Sequence, residues 1–360
     1  MPLFIDFHQF DKVTIDEVKT AHIADLKIQD EYGVKYHQFW VNEEAGTVFC
    51  LMEGPDTETC ELVHHLAHGN VACAITEIQQ GFYQVAMGNT VKSKGGVATF
   101  TSGEIDVAYR SVLVVSVRAI TLARDSKDVK SLLLPTWAKE LVMEKFVEFG
   151  GREIEWGDDD SLIAIFNDAK QSYKCANSIQ EQLSSKPDMS PKIIFKMGLS
   201  AGLPVTEDGD FFDKVFKLSH RLCNSANDNQ LLVSALIAKL ANIDIQASTM
   251  KNRVMVPTEE QLLSDLFNIT ENNLSDMNFN MACLCKSIGM SRSQFYRKIT
   301  AITGRSPVYF LRDLRLEKAR VLLQQKSGNV TQVAMEVGYS NPSYFTKCYT
   351  EKFGFLPSLS

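Results

Sequence analysis

Residues 281–302, MACLCKSIGMSRSQFYRKITAI, and residues 329–354, NVTQVAMEVGYSNPSYFTKCYTEKFG, decide how the C-terminal part of the chain folds. In the first stretch a short apolar helix is expected to end at Gly289, with Ser291 capping a second helix. Phe295, Ile299 and Ile302 then recur at i, i+4 and i+7, the spacing of a stripe that faces a core. At about 100° per residue, Ser293, Tyr296, Arg297 and Thr300 fall on the opposite side, which a helix seated in a major groove must present. The second stretch repeats the plan. Ala334 precedes Gly338 as Cys285 precedes Gly289, and Asn341-Pro342 reads as N-cap and first helical position. Phe345, Cys348 and Tyr349 form the inward stripe, and Ser343, Thr346, Lys347 and Thr350 point outward. The glycine-to-phenylalanine spacing is longer in the second unit, so its turn is expected to be one residue longer.

Between the two units, residues 306–325 (SPVYFLRDLRLEKARVLLQQ) keep Tyr309, Leu316, Ala319 and Leu323 at helical spacings. Twenty residues at about 1.5 Å each span roughly 30 Å. That is close to one turn of B-DNA, about 34 Å, so one chain can set two helices in successive major grooves. The charge agrees. Residues 281–360 carry twelve Lys and Arg against four Asp and Glu, which leaves 25 against 40 for residues 1–280. A basic module on an acidic body suits a polyanionic partner.

This stretch resembles the DNA-binding domain of the AraC family of transcription regulators. The marks are Ser291-x-x-x-Phe295-x-Arg297, Gly304-x-Ser306-Pro307, Arg315-x-x-x-Ala319, Val333-Ala334 with Gly338-Tyr339, Ser343-Tyr344-Phe345, and Phe353-Gly354 with Pro357. The resemblance implies base contacts from Ser293, Tyr296 and Arg297 in the first unit, and from Ser343, Tyr344 and Lys347 in the second. Two departures stand out: Ser293 is a short reader, and Ser360 comes before the arginine that often follows the family's final proline.

At 360 residues, 45% hydrophobic and 22% charged, the chain is long enough for two or three cores. No apolar run approaches a membrane span, and Asp6 and His8 interrupt the start where a signal peptide would be apolar, so a cytoplasmic protein without a membrane partner is expected. The eight cysteines form no paired framework and read as free thiols, mostly buried.

Residues 1–80 alternate as strand, helix, two strands, helix and strand. This βαββαβ order packs most economically as a ferredoxin-like antiparallel sheet with two helices on one face. Six of the seven histidines lie here: His8, His22, His37, His64, His65 and His68. His64 and His68, four apart, share a helix face and can reach one ion, and Cys50 can add sulfur. The same histidines can instead hydrogen-bond within the sheet-helix layer. The stretches DFH, AHIADL, GVKYHQFWVNEEAGTVFCL and VHHLAHG resemble a small bacterial ferredoxin-like family whose studied member binds nickel. The resemblance implies His22, His37, Cys50, His64 and His68 as ligands of nickel or another divalent transition metal such as zinc.

Residues 81–106, rich in Gly, Ser, Thr and Lys, read as a linker. Residues 107–250 then alternate strands and helices as one α/β domain, with QLLVSALIAKLA read as one strand running into another. This domain resembles the catalytic domain of class III nucleotide cyclases at Asp160-Ser161 with Ala164 and Phe166, at Gly198–Gly202, at Asp208–Phe211, at Arg221-Leu222 and at Gln230–Ser234. The resemblance implies two carboxylates bridging two magnesium ions. Asp160 matches one of them, but the other falls at Ser116, whose hydroxyl cannot supply the negative charge. The family's asparagine falls at Lys217, and its arginine is retained as Arg221. Surviving fold marks with a broken ion site imply a pseudo-cyclase serving dimerisation or ligand sensing. Asp158 and Asp159 read as a solvated acidic turn. Residues 251–280 read as a hinge with a capping box at Thr258 and Gln261.

The expected protein is thus multidomain α/β plus all-α. It has a ferredoxin-like domain, a cyclase-like domain and a tandem helix-turn-helix domain at 281–360. Its expected partners are double-stranded DNA, a small-molecule or metal effector, and a second copy of the chain in a homodimer. Its expected function is transcription regulation without enzymatic activity. The alternatives are a nucleotide cyclase fused to a DNA-binding module, and a metal storage or trafficking protein.

Overall fold

The computed structural model describes residues 1–88, 91–92, 95–120, 134–155, 161–185, 192–244 and 251–360. It opens with β1 (Leu3–Gln9), α1 (Ile15–Ile28), β2 (Lys35–Asn42), β3 (Thr47–Glu53), α2 (Thr57–Ala67) and β4 (Ala74–Ile78). Local chemistry sets the helix starts. Thr14 and Glu17 form a reciprocal capping box on α1, and Asp56 accepts from the Thr59 amide to cap α2. The strands pair antiparallel in the order β2-β3-β1-β4, which is ferredoxin-like. The period of two along β1 gives the sheet two different faces. Phe4 packs with Val18 and Val63 under the helices, whereas Ile5 and Phe7 join a core on the other side.

The segment read as a linker is structured over its described residues. It holds α3 (Gln80–Met87) and a small hairpin of β5 (Val91–Lys92) with β6 (Ala98–Thr99), and Met87, Val97 and Ala98 are buried. Composition pointed to a tether because Gly, Ser, Thr and Lys are frequent, but Met87 and Ala98 fill space between two sheets and Val97 packs into the core beneath the N-terminal helices. The segment ends on a buried ion pair. Arg110 Nη2 donates to Asp106 Oδ2 at 2.6 Å and Nη1 to Asp106 Oδ1 at 2.9 Å. Trp40 Nε1 on β2 also donates to Asp106 Oδ2, at 2.9 Å, and Arg110 reaches the Met87 carbonyl at the end of α3.

The middle part is built on a six-stranded sheet in the order β12-β11-β10-β7-β9-β8. Its strands are β7 (Arg110–Ile120), β8 (Arg152–Glu153), β9 (Leu162–Phe166), β10 (Lys192–Gly202), β11 (Gln230–Val233) and β12 (Asn252–Val254). Leu113, Val115 and Val117 point to one face, against α4 (Thr136–Glu148) and α5 (Ala169–Ser184). Val112 and Val114 point to the other, where they share one core with Ile5, Phe7 and Trp40 of the N-terminal sheet and Phe216 of α6 (Asp213–Ser225). The strand expected after β11 is instead α7 (Ala235–Ala241): Ser234 accepts from the Ile237 amide, and the Ala- and Leu-rich run that follows is a strong helix former.

The region read as a hinge holds α8 (Pro257–Asn273), which starts at Pro257 rather than at the expected Thr258–Gln261 box, because proline fits the first helical position and Glu259 accepts from the Val256 amide. Leu262, Leu263, Leu266 and Phe267 of α8 are buried with Leu222, Leu232, Phe295, Ile299 and Phe310, in a core shared by the middle and C-terminal parts. The C-terminal part is all helical: α9 (Met281–Ile288), α10 (Arg292–Thr303), α11 (Pro307–Gln324), α12 (Val330–Glu336) and α13 (Pro342–Phe353).

Truncating Arg110 leaves the Asp106 carboxylate buried without its main counter-charge. Arg110→Ala is therefore expected to destabilise the chain by about 3 to 5 kcal/mol, read from the shift in urea midpoint, and a loss under about 1 kcal/mol would contradict the role given to this pair.

Candidate metal centre and nucleic-acid interface

In the first C-terminal unit, Gly289 ends α9 at φ 71°, and Ser291 caps α10 with Gln294 reaching back. In the second, Gly338 has φ 82° and follows α12, and Asn341 caps α13 with Pro342 in its first turn. Phe295, Ile299, Ile302, Phe345, Cys348 and Tyr349 are buried, as is the small residue behind each turn, Cys285 or Ala334. The loop from α12 to α13 is the longer of the two, as the spacing predicts. Ser293, Tyr296, Arg297, Ser343, Tyr344 and Lys347 all stand exposed on the outer faces of α10 and α13. Lys347 Nζ lies 4.0 Å from Glu351, a solvent-exposed pair worth less than about 1 kcal/mol that leaves the ammonium available. Along α11, Leu316, Ala319 and Leu323 are buried, but Tyr309 lies outside under the Arg312 guanidinium, and Phe310 and Leu311 take the inward place.

The N-terminal histidines gather around two buried carboxylates. Asp6, central in β1, accepts from the Cys50 amide at 2.5 Å, and its other oxygen lies 2.6 Å from His64 Nε2 and 3.1 Å from His8 Nε2. On the far side of His64, its Nδ1 and His68 Nε2 are 3.1 Å apart, and both sit within 3.3 Å of Asp25 Oδ1 on α1. Ligand atoms of Asp6, His8, Cys50 and His64 lie within 4.8 Å of one another, and so do those of Asp25, His64 and His68. A cavity of about 310 Å³ opens beside them, lined also by His22.

Of the five residues singled out in the sequence, Cys50, His64 and His68 are brought together and His22 borders the cavity. His37 stands apart, with Nε2 2.9 Å from Glu53 Oε1. The register of β2 against β3 slips between Tyr36 and Gln38, so His37 occupies a bulge that turns it away from the site. Sequence reading missed Asp6, His8 and Asp25. A charged residue inside LFIDFH, two positions before a histidine and hence on the same strand face, was the available signal.

The electrostatics are those of imidazoles set against two buried carboxylates. Burial pushes the His64 pKa down, but hydrogen bonds and charge from Asp25 and Asp6 outweigh it and raise it to about 10. Burial pushes Asp6 up, yet His8 and His64 hold it well below the carboxylate range. The Cys50 thiol is pushed well above its ordinary value by burial and by Asp6 and Asp25. His8 Nδ1 is buried with no hydrogen-bond partner among the described residues. Imidazole, carboxylate and thiol donors at such spacing fit a divalent transition ion, which would replace the protons now balancing the two carboxylates.

The cyclase-like marks are placed differently. Ser116 lies on β7 facing a cleft, Lys217 pairs with Asp213 at 2.6 Å, and Asp158, Asp159 and Asp160 lie outside the described residues. Arg221 is turned onto α8, bonding Asn268 and lying over the Phe267 ring, so this arginine holds a helix in place.

Residues 284–359 match the family described as helix-turn-helix domain, and residues 4–78 match the family described as nickel responsive protein SCO4226-like. The chain therefore joins a C-terminal AraC-type helix-turn-helix domain, a class that binds double-stranded DNA, to an N-terminal domain of the SCO4226-like family. Among curated relatives, histidine kinase P4 of Formosa agariphila is 30% identical over 167 residues, 46% of this chain and 12% of that protein. The transcriptional regulator SirC of Salmonella typhimurium is 28% identical over 227 residues, 60% of this chain and 69% of that one. The chain thus spans about an eighth of the first relative and about two thirds of the second. Among solved structures, SCO4226 from Streptomyces coelicolor is 36% identical, with 21% of this chain and 94% of that chain covered and a TM-score of 0.20. An adenylate/guanylate cyclase/hydrolase from Silicibacter pomeroyi is 21% identical, with 37% and 80% covered and a TM-score of 0.30. Among the described residues, no helix is long and apolar enough to cross a membrane.

The pKa directions define a pH window for the metal-free chain. The contribution of His64 is complete below its unfolded value of about 6.5 and is lost as pH rises through about 10, whereas that of Asp6 is present above about 3.8 and is lost as pH falls below it. Thermal stability of chelator-treated protein is expected to peak between about pH 4 and 6.5 and to decline toward pH 10. The upper limb should flatten in His64→Gln, and an equally steep limb there would assign it to other groups.

Proposed function

We propose that the chain is a sequence-specific transcription regulator that reads double-stranded DNA with α10 and α13 and senses a divalent transition ion, nickel foremost, in its N-terminal domain. The observation that carries this reading is the pair of solvent-exposed recognition faces on either side of one long helix. Arg297 is assigned to base edges, Lys347 to a base or a phosphate, and Ser293, Tyr296, Ser343 and Tyr344 to the same grooves. The ion is assigned to Asp6, His8, Asp25, Cys50, His64 and His68, or a subset of them, with His22 beside the cavity. A bound ion would supply positive charge to offset Asp6 and Asp25, and the imidazoles that hold it would release their protons to solvent.

The middle domain is read as structural and sensory rather than enzymatic, because Ser116 stands where a carboxylate is needed and Arg221 is committed to α8. Formation of cyclic nucleotide from ATP or GTP with magnesium by the full chain would overturn that part. A second copy of the chain is the expected partner, and light scattering on the same sample should give twice the chain mass.

Operator selection with the full chain tests the DNA reading. On the selected site, Arg297→Ala is expected to cost about 1 to 3 kcal/mol and to relax specificity at one position. Lys347→Ala, if the ammonium grips a phosphate, weakens all sites alike and flattens the salt slope by about one unit. Normal binding by both variants would defeat the two-groove assignment.

Nickel titration of the full chain by calorimetry is expected to show saturable binding that strengthens from pH 6 to pH 8 with proton release, since the ion must displace the proton held on His64. Replacing His64 and His68 together by alanine should abolish it. An unchanged isotherm in that variant removes the α2 pair from the site.

A further inference from the structure

A second charged cleft lies between the middle sheet and the C-terminal helices, with a volume of about 220 Å³. Its floor is one face of β7 and β10. Lys196 pairs in register with Ser116, and Ile194 with Arg118, so the four side chains share that face. The opposite wall comes from α11 and the end of α13 and includes Asp313, Glu317, Lys318, Arg320 and Lys352, with Arg305 and Glu271 completing the rim. Six cations thus line the cleft against three carboxylates.

The carboxylates are already engaged. Asp313 accepts from Arg305 at 2.9 Å, Glu317 lies 3.0 Å from Lys352 and 3.4 Å from Arg320, and Glu271 reaches Arg221 at 3.5 Å. What remains is the floor. Arg118 has no hydrogen-bond or ion-pair partner among the described residues, and Lys196 has only Asp228, 3.9 Å away and outside the cleft lining.

We propose that this cleft is a binding site for a phosphorylated small molecule, whose phosphate bridges Arg118 and Lys196 on the sheet to Lys352 and Lys318 of the DNA-binding domain. Phosphate is the group that fits: an arginine fork beside a lysine point charge suits its several oxygens, and a volume below the usual several hundred Å³ of ligand pockets suits a small polyanion. Burial and the neighbouring Arg305, Lys352 and Arg118 hold the Lys196 pKa down to about 8, which the more distant Asp228 only partly opposes. Glu317, held ionised in spite of its burial by Lys352, Arg320 and Arg118, already places one anion at the edge of the same cation group. Because the two walls belong to different domains, the ligand cross-links them and sets how firmly the helix-turn-helix units are docked.

The test is calorimetry on the full chain without DNA, using inorganic pyrophosphate and adenosine 5′-monophosphate as probes and sodium sulfate as control. Saturable binding of either probe is expected, at least tenfold tighter than sulfate, and weakened at least tenfold in Arg118→Gln with Lys196→Gln. Pyrophosphate binding alone identifies a free polyphosphate as the ligand type, and adenosine monophosphate binding alone identifies a nucleotide. Among the described residues Arg118 makes no hydrogen bond and Lys196 has only the long pair with Asp228, so the variant's melting temperature should stay close to that of the unliganded chain and lost binding will not reflect lost folding; Lys318→Gln, on the exposed rim, gives a second and smaller weakening. No saturable binding of either probe, binding no tighter than sulfate, or equal binding by the double variant overturns the site. The readout involves no operator, so failure of the DNA-binding reading leaves this result standing.

Discussion

The buried pair of Asp106 and Arg110 is the constraint on which the arrangement of the first two domains rests. Neither side chain sees solvent, and each is bonded to more than the other: Asp106 takes the Trp40 indole N–H and the Ala108 amide, while Arg110 holds the Met87 carbonyl. Burying two charges is costly, and their attraction offsets that cost only when the remaining donors and acceptors are also satisfied. Here that satisfaction comes from three segments at once. The N-terminal sheet supplies Trp40, α3 supplies Met87, and β7 begins at Arg110 itself. The pair can form only when these three are in place, which gives the apolar contact between the two sheets a fixed registration that hydrophobic burial, being non-directional, would not impose.

A second junction works by different means. The core that buries α8 also buries the inward stripe of α10, so the helix-turn-helix domain is not hung on a flexible tether. Polar clamps surround that core: Arg305 donates to the carbonyls of Asn224, Ser225 and Ala226 at the end of α6, and Arg253 donates to those of Ala301 and Ile302. Helix C-termini leave such carbonyls unsatisfied, and a guanidinium from a neighbouring domain meets both the hydrogen-bonding need and the partial negative charge there.

How much of this was legible in the sequence follows from which interactions are local. Turn glycines, caps and the stripes of α10 and α13 are set within a few residues, so the exposed outer faces of these helices could be read from spacing alone. His64 and His68 could be paired for the same reason. Asp25 could not, because α1 and α2 meet only in three dimensions, and His37 stands apart from the cluster because a bulge shifts its strand by one residue and no local pattern announces a bulge. Residues 81–106 read as a tether because composition averages over a segment, whereas its structure depends on Met87, Val97 and Ala98. The sense of α7 was obscured by a short apolar run that suits strand or helix equally, and the serine cap decided it.

The alternation of β1 bears on how an ion in the N-terminal domain can be felt elsewhere. Asp6 and His8 face the cluster beneath the helices, while Ile5 and Phe7, their immediate neighbours, are packed against Val112 and Val114 on the strand that begins at Arg110. The cluster and the inter-domain core are therefore separated by the thickness of one strand. In the metal-free chain Asp6 is held by His64, His8 and the Cys50 amide, and an ion drawing on the same carboxylate must change that set of bonds. A close-packed interior does not absorb such a change by continuous deformation, so it must either be confined by the rigidity of β1 or passed to the Ile5–Phe7 contact. Physical contiguity alone does not establish coupling. It does locate the element in which a transmitted change has to begin: β1 is the strand that has the donor cluster on one face and the middle-domain core on the other.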